Sequence, residues 1–188
     1  MKNIVGWILP LVLAAVVAVV LWFAFCDRIY VVGGDNTSPT HHVGQTVFIE
    51  RGGTVERGDI VLVDSPLVQN STPQNPVVQR CFAVPGEKVT KLRSYHLYGP
   101  AVLPSPGTKI SLNYSNYLIY KDLVEQYEGV RMLWRDTVCT IDGKEADSYT
   151  FRRGYVFLLN DCRADLSDSR TFGPVPMDAI CAKIKFVF

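Results

Sequence analysis

Two groups of side chains in this sequence have the chemistry of metal ligands or nucleophiles, and both groups are incomplete. Five cysteines are present without a C-x-x-C pair, so no zinc or dithiol motif is indicated. His41 and His42 are adjacent, and adjacent residues on a strand point to opposite faces, which favours a surface loop over a metal site. Cys81 would need a histidine partner to act as a nucleophile, and nothing places one of the three histidines beside it. We therefore expect no metal or other cofactor and no cysteine-protease site.

The composition indicates a packed globular chain. Of the 188 residues, 48% are hydrophobic and 20% are charged, which is typical of a folded protein and not of a disordered one. The formal net charge is only +1, so the chain lacks the strongly basic character of proteins that bind nucleic acid. We therefore expect no nucleic-acid partner.

The first element that the sequence predicts is a membrane helix. Residues 4–26 contain no charged side chain. As a helix they would extend about 34 Å at roughly 1.5 Å per residue, enough to cross a hydrocarbon core of about 30 Å. Bulky Phe25 stands directly before Cys26, which argues against cleavage as a signal peptide or a lipoprotein signal. We therefore predict a retained anchor over residues 1–28 and an extracytoplasmic domain over residues 29–188.

The charges that flank the anchor set its expected orientation. Lys2 and the amino terminus precede the helix, whereas Asp27 and Arg28 after it nearly cancel, so the positive-inside bias favours a cytoplasmic amino terminus. Four cysteines then lie outside the cytoplasm, where disulfides are possible. They are Cys81, Cys139, Cys162 and Cys181. Buried free thiols are the alternative, and the sequence leaves both possibilities open.

Beyond the anchor, the sequence predicts a mainly β domain with one short helix. Short apolar or alternating runs bounded by turn residues predict strands at residues 46–50, 60–63, 76–84, 155–159 and 180–188. Asp142-Gly143 is a strong hairpin-turn signal. Apolar residues recur at helical spacing over residues 115–128, where Ser115 is the expected N-cap and Gly129 the expected C-cap.

Four sequence blocks, in order, resemble those of a known family. They lie at residues 34–45, 57–61, 79–87 and 160–170. They resemble the S-x-S-M-x-P-T-x-x-x-G-D, R-G-D-I-V, K-R-x-x-G-x-P-G-D/E and G-D-N-R-x-x-x-x-D-S-R blocks of the type I signal peptidases, the serine/lysine leader peptidases. The resemblance covers nearly the whole chain. It implies a β domain of coiled sheets with one short helix, preceded by one N-terminal transmembrane helix, and it implies an insert at about residues 93–150.

The resemblance also implies a serine–lysine mechanism, and this sequence lacks both of the reacting groups. In the family a serine hydroxyl attacks the scissile carbonyl, and a neutral, desolvated lysine amine takes its proton. The nucleophile position is Asn36 here, and the base position is Gln79. A carboxamide has no hydroxyl to deprotonate and accepts no proton near neutral pH. The chain is therefore identified as a catalytically substituted homologue, which we expect to be inactive as a protease.

Three supporting positions also depart from the family pattern. Gly34 stands where the family often has a hydroxyl that stabilises the oxyanion. Leu166 stands at the position of the hydroxyl that orients the lysine, and Asn160 replaces a glycine that keeps the site open. Because five positions of the implied catalytic site are changed together, a single engineered knock-out does not explain the pattern.

Other residues of the matching blocks are expected to serve as scaffold or groove. Arg80 with Asp161, and Asp168 with Arg170, are predicted ion pairs around the site. Two segments match family strands that flank an extended substrate, so a peptide would add there as a further strand. The alternative is that these residues belong to an ordinary core. The peptide-binding candidates are Tyr30, Val32, Val77 and Val78.

The preferred interpretation is a silent signal peptidase homologue in a bacterial cytoplasmic membrane, crossing it once with the β domain outside. Membrane lipid is then one partner. Signal peptides or preproteins, an active signal peptidase paralogue and the export machinery are the other partners that the resemblance implies.

Two alternative functions stay open. One is an active leader peptidase with an unorthodox nucleophile, for which Thr37, Ser38 and Cys81 are the candidates. Thr37 and Ser38 are out of register with the family, and no lysine or histidine base is evident for them. The other alternative is a structural subunit of a membrane complex that binds no peptide.

Overall fold

The computed structural model describes residues 2–26, 29–33, 40, 42–64, 76–89 and 101–187, with side chains described over residues 10–22 of the first helix. Three α-helices are present in these residues: α1 (Lys2–Cys26), α2 (Tyr114–Leu123) and α3 (Ser169–Phe172). A π-helical turn (Val124–Glu128) continues α2, and a 3-10 turn (Met177–Ala179) precedes the last strand.

The strands carry most of the fold. In chain order they are β1 (Ile29–Val31), β2 (Thr46–Glu50), β3 (Ile60–Val63), β4 (Val77–Ala83), β5 (Lys88–Val89), β6 (Ala101–Val102), β7 (Lys109–Ser111), β8 (Met132–Arg135), β9 (Val138–Ile141), β10 (Lys144–Glu145), β11 (Ser148–Thr150), β12 (Tyr155–Leu159), β13 (Val175–Pro176) and β14 (Ile180–Val187). The described part of the chain is therefore mainly β, as the sequence predicts.

Seven of these strands form one antiparallel sheet in the order β1-β2-β14-β3-β4-β12-β13. The sheet curls enough to bring its edge strand β1 close to β4, since the Tyr30 hydroxyl on β1 donates a hydrogen bond of 2.8 Å to the carbonyl of Pro76, next to β4. One face packs a cluster of Val32, Val47, Ile49, Leu62, Val78 and Ala182. The other face packs Val61, Val63, Cys81, Val156, Leu158 and Val175.

Burial of both faces explains the sequence pattern of the central strands. β3 and β12 are apolar at every position because neither face of the sheet is left to solvent there. Burial of this kind stabilises the fold by roughly 25 cal/mol for each Å² of apolar surface removed from water. The expected strands at residues 46–50, 60–63 and 155–159 are confirmed, and those at 76–84 and 180–188 are confirmed to within a residue at each end.

The hairpin and the helix of the insert were predicted with one error. Asp142 and Gly143 both have positive φ (48° and 80°) in the turn between β9 and β10, as the Asp-Gly signal requires. Gly129 ends the π-helical turn in the left-handed conformation, as expected. The expected N-cap at Ser115 is wrong, because the Asn113 side chain accepts the hydrogen bond from the backbone N–H of Asn116 instead.

The first helix is long and its described side chains are apolar. α1 runs unbroken from Lys2 to Cys26 with Pro10 inside it, and large apolar side chains such as Leu13 and Trp22 are exposed. Within the fully described part of the chain, however, no helix meets the combined length and apolarity needed to cross a bilayer. The anchor, and the domain division after residue 28, therefore stay predictions.

The strands between residues 101 and 150 lie outside the large sheet and form small sheets of their own, together with β5.

A buried carboxylate joins this region to β12. Glu128, which is 4% exposed, accepts hydrogen bonds from the hydroxyls of Tyr149 (3.1 Å) and Tyr155 (2.8 Å) and from the Arg152 guanidinium (2.9 Å). Burial alone would raise the pKa of Glu128, but the hydrogen bonds outweigh burial and its pKa is lowered. Burial and the adjacent carboxylate raise the pKa of Tyr149 to about 12.

We predict that Glu128→Gln destabilises the protein by about 2 kcal/mol, because charge-assisted hydrogen bonds from two buried phenols become neutral ones. Urea unfolding of the full chain in detergent, followed by tryptophan fluorescence, measures the change. Exposed Glu145 supplies the matched control, and Glu145→Gln should stay within about 0.5 kcal/mol of the parent chain.

The same variant should change the acid limb of the stability curve. Since the folded pKa of Glu128 is lowered, its contribution is complete above the unfolded value of about 4.3 and is lost as pH falls through the folded pKa. The parent chain should therefore lose more stability below about pH 4.3 than Glu128→Gln loses. Parallel acid limbs for the two chains would contradict this role of Glu128.

Candidate active-site region

Gln79, at the predicted base position, lies in the middle of β4 and is fully buried. Because side chains alternate along a strand, Gln79 shares a face with Val77 and Cys81, and it pairs across the sheet with Val61 on β3. An uncharged polar side chain thus stands within an otherwise apolar face of the sheet. Such a group is tolerated only if hydrogen bonds replace those that it made with water.

Two acceptors hold the Gln79 amide. Its Nε2 donates to Oδ1 of Asn160 at 3.0 Å and to the backbone carbonyl of Ser167 at 3.1 Å. The carbonyl of Ser167 can only accept, so it fixes which end of the amide faces it. The other end, Oε1, is buried and has no hydrogen-bond partner among the residues that the structure describes.

Asn160 and Ser167 belong to a loop that one carboxylate organises. Asn160 follows β12 directly and is fully buried, and its backbone N–H donates to Oδ2 of Asp168 at 2.9 Å. Asp168 also caps α3 and forms an ion pair with Arg170 at 2.7 Å. The predicted Asp168–Arg170 pair is therefore confirmed, and it sets the path of the loop that reaches Gln79.

The second predicted ion pair is also confirmed. Arg80 makes two hydrogen bonds of 2.7 Å to the carboxylate oxygens of Asp161 and a third of 2.9 Å to the carbonyl of Gly58. The Arg80 guanidinium lowers the pKa of Asp161, and the Asp161 carboxylate in turn raises that of Arg80. This pair ties β4 to the end of β12 beside the Gln79–Asn160 contact.

Leu166, at the predicted lysine-orienting position, carries an apolar side chain without a hydroxyl. Its side chain is 49% exposed, and the Gln79 amide is held by the neighbouring Ser167 carbonyl instead. The sequence does not indicate a role for Ser167, because the contact is made by its backbone carbonyl, which every residue type has. Sequence reasoning also missed Ser169, whose buried hydroxyl accepts a hydrogen bond from the Leu158 N–H at 3.0 Å, although Ser169 lies in the matching block.

Several predicted site residues lie outside the described residues. They are the nucleophile position Asn36, the oxyanion position Gly34, the alternative nucleophiles Thr37 and Ser38, and His41. The described neighbour His42 is exposed, and its backbone N–H donates to the Gln45 side chain. The roles predicted for these positions stay predictions.

The Cys81 thiol is a poor nucleophile in this setting. It is 1% exposed, and burial, reinforced by Asp59 and Glu87, raises its pKa to about 12. All four cysteines of the described β region are free thiols, so the disulfide possibility is not realised in the structure. Across the same described residues, no group of three or more His, Cys, Asp or Glu side chains is arranged to hold a metal ion.

The peptide-binding candidates fall into two classes. Val32 and Val78 are buried in one cluster of the sheet, as ordinary core residues are. Tyr30 and Val77 are half-buried on β1 and β4. Tyr30, by its hydrogen bond to Pro76, holds these two strands near each other.

The groups that contact the Gln79 side chain exchange hydrogen bonds with it. Both partners of Gln79, Asn160 and the Ser167 carbonyl, are neutral and do not titrate. Two ion pairs, Arg80–Asp161 and Asp168–Arg170, lie nearby.

Comparison with known proteins gives the same assignment along the entire chain. A family model described as "Signal peptidase, peptidase S26" matches residues 4–188. A protein named Signal peptidase IB from Staphylococcus aureus (strain COL) is 26% identical over 191 residues, covering 100% of this chain and 90% of the relative. Proteins of the same name from strains Mu50 / ATCC 700699 and N315 are each 25% identical with the same coverage. The chain therefore belongs to the type I signal peptidase family, peptidase S26.

Proposed function

We propose that this protein is a membrane-anchored signal peptidase homologue that binds signal-peptide-like segments without cleaving them. The observation that carries the proposal is the buried Gln79 amide at the base position, bonded to Asn160 and to the Ser167 carbonyl. General-base catalysis needs a group that takes up a proton near working pH, and a carboxamide does not. Asn36 at the nucleophile position extends the same argument, since it carries no hydroxyl.

The contacts of Gln79 also argue against a site that merely lacks its base and is otherwise unchanged. Asn160 stands where the family has glycine, and its side chain reaches the Gln79 amide at 3.0 Å. The two substitutions are therefore complementary, because each carboxamide satisfies part of the other in a place closed to water. A carboxamide pair of this kind suits a site that holds its shape and performs no proton transfer.

Membrane anchoring is the second component of the proposal. The 25 residues of α1 include no acidic residue in the first turn and no basic residue in the last turn, and apolar side chains from Leu11 to Trp22 are exposed. Exposed apolar surface of this extent on a helix is costly in water and favourable in lipid. A single crossing with a cytoplasmic amino terminus would place the β domain outside a bacterial cytoplasmic membrane.

The ligand and partners that we propose follow from the same resemblance to the signal peptidases. Signal peptides or preproteins are the ligands that suit strands β1 and β4, since an extended segment adds to such strands by main-chain hydrogen bonds. By holding such segments, the protein would assist an active signal peptidase paralogue or the export machinery. A role as a structural subunit without peptide binding is the alternative, and crosslinking through Val77 to a bound signal peptide separates the two.

We predict that the purified full chain leaves a preprotein intact and that activity can be restored in steps. Asn36→Ser with Gln79→Lys should give little cleavage, because Oδ1 of Asn160 and the Ser167 carbonyl would both stabilise a charged ammonium. Adding Asn160→Gly removes one of these acceptors and should raise the rate of cleavage at least tenfold over the double variant. A tenfold change in rate corresponds to about 1.4 kcal/mol of activation free energy. Cleavage is followed by the appearance of mature protein at mildly alkaline pH.

The control for this series replaces Asn36 by alanine in the triple background, which should abolish any activity gained. If the triple variant is folded but inactive, Gly34→Ser and Leu166→Ser are added next. Cleavage by the unaltered chain that disappears in Asn36→Ala would overturn the proposal of a silent homologue.

A separate prediction tests the anchor. The full chain should stay with membranes after an alkaline carbonate wash, and Val16→Arg with Val19→Arg should reduce that retention strongly. Each arginine near the middle of a spanning helix costs roughly 2.5–3.5 kcal/mol on insertion scales. Val138→Arg, a change at an exposed residue of β9, is the matched control and should leave retention unchanged. Release of the unaltered chain by carbonate would refute a spanning helix.

A further inference from the structure

The three-stranded sheet β10-β9-β8 carries an open concave surface, which we call the insert face. The concavity has a volume of about 480 Å³. Ligand sites in proteins commonly have volumes of about 300–1,000 Å³, so this one is large enough to hold part of a ligand. It is lined by Arg131, Leu133, Arg135, Thr140, Asp142 and Gly143.

The alternation of side chains along β8 places two arginines on the insert face. Arg131 directly precedes β8 and Arg135 ends it, and both are exposed. Met132 points the other way, into the buried cluster that packs against α2. The Cα atoms of the two arginines are about 13 Å apart, at about 3.3 Å for each residue of a strand. Because each guanidinium binds a phosphate through two parallel N–H donors, the pair suits a ligand with several phosphates.

The insert face also presents carboxylates. Oδ1 of Asp142 accepts the backbone N–H of Arg131 at 2.9 Å, which holds this carboxylate beside the first arginine. Exposed Glu145 on β10 lies opposite Thr140 on β9. A carboxylate repels a phosphate but accepts a hydrogen bond from a hydroxyl. A ligand that alternates phosphates with hydroxyl groups therefore matches this face better than one that carries anionic groups alone.

The lining also distinguishes between kinds of phosphate polymer. Its described residues include no aromatic side chain, and nucleic-acid bases bind to single-strand sites chiefly by stacking on aromatic rings. A chain without bases is the better match.

We propose that the insert face binds an extended polyol phosphate chain, a polymer in which phosphodiester groups alternate with short hydroxyl-bearing units. Successive phosphates pair with Arg131 and Arg135, and a hydroxyl between them donates to Asp142. Since Gln79 is not part of this face, the inference goes beyond peptide binding and does not depend on it.

The test measures binding of soluble poly(glycerol phosphate) to the full chain in micelles of an uncharged detergent, by titration calorimetry. Binding should saturate and should weaken as salt is added, because the charges involved are exposed. Arg131→Gln with Arg135→Gln should weaken it by roughly tenfold or more, since charge-assisted hydrogen bonds are lost.

A matched control removes the same charge elsewhere. Lys88 and Lys109 are exposed and lie on β5 and β7, outside the insert face. Lys88→Gln with Lys109→Gln should leave the affinity within about twofold, because surface charges beyond the screening length contribute little. Circular dichroism of both double variants checks that each is folded. Equal losses in the two double variants would show attraction to net charge only and would overturn the proposal.

Two further ligands test the chemical class. Glycerophosphoglycerol, the deacylated headgroup of a lipid, should bind roughly tenfold more weakly than the chain or less tightly still, because one phosphate engages one arginine. Poly-glutamate of equal charge should also bind more weakly, since it has no hydroxyl to donate to Asp142. A headgroup or poly-glutamate that binds as tightly as the chain would overturn the proposal, and so would the absence of any saturable binding of poly(glycerol phosphate).

Discussion

The arrangement of the site depends on one buried carboxylate, Asp168. It caps α3, pairs with Arg170 and accepts the backbone N–H of Asn160, so a single side chain fixes both ends of the loop that faces Gln79. A buried charge is tolerated only when its hydrogen-bonding capacity is filled, and removal of one partner of such a group typically costs about 3–5 kcal/mol. The loop therefore has little freedom to adopt another path. As a result, the carbonyl of Ser167 lies within hydrogen-bond distance of the Gln79 amide.

This constraint separates the framework of the family from its chemistry. The groups that carry permanent charge, in the pairs Arg80–Asp161 and Asp168–Arg170, remain and are fully engaged in holding strands and loop. The predicted base position, Gln79, carries an amide, and an amide is compatible with the same framework because it needs only hydrogen bonds. The absence of proton transfer that we propose is therefore physically compatible with membership of the family.

Much of the fold was predictable from sequence because the physics is local. The apolar runs of β3 and β12 and the Asp-Gly turn report burial and backbone conformation directly. Other features depend on distant residues and left no local signal. The Ser167 carbonyl acquires its role only when β12 brings the loop beside β4, and Glu128 is buried only because two tyrosines and a backbone segment far along the chain enclose it. The N-cap error has the same character, since Ser115 and Asn113 both have capping side chains and only the entry path of the chain selects Asn113.

The position of β14 has a consequence for how the molecule is made. This strand, the last in the chain order, pairs with β2 on one side and β3 on the other, and so completes the middle of the large sheet. Until residues 180–187 have emerged from the ribosome, β2 and β3 each lack the strand that pairs with one of their edges. Contacts between such distant segments form slowly, and open strand edges invite aggregation. We therefore expect the partly synthesised chain to be most prone to aggregation before its last strand pairs with β2 and β3.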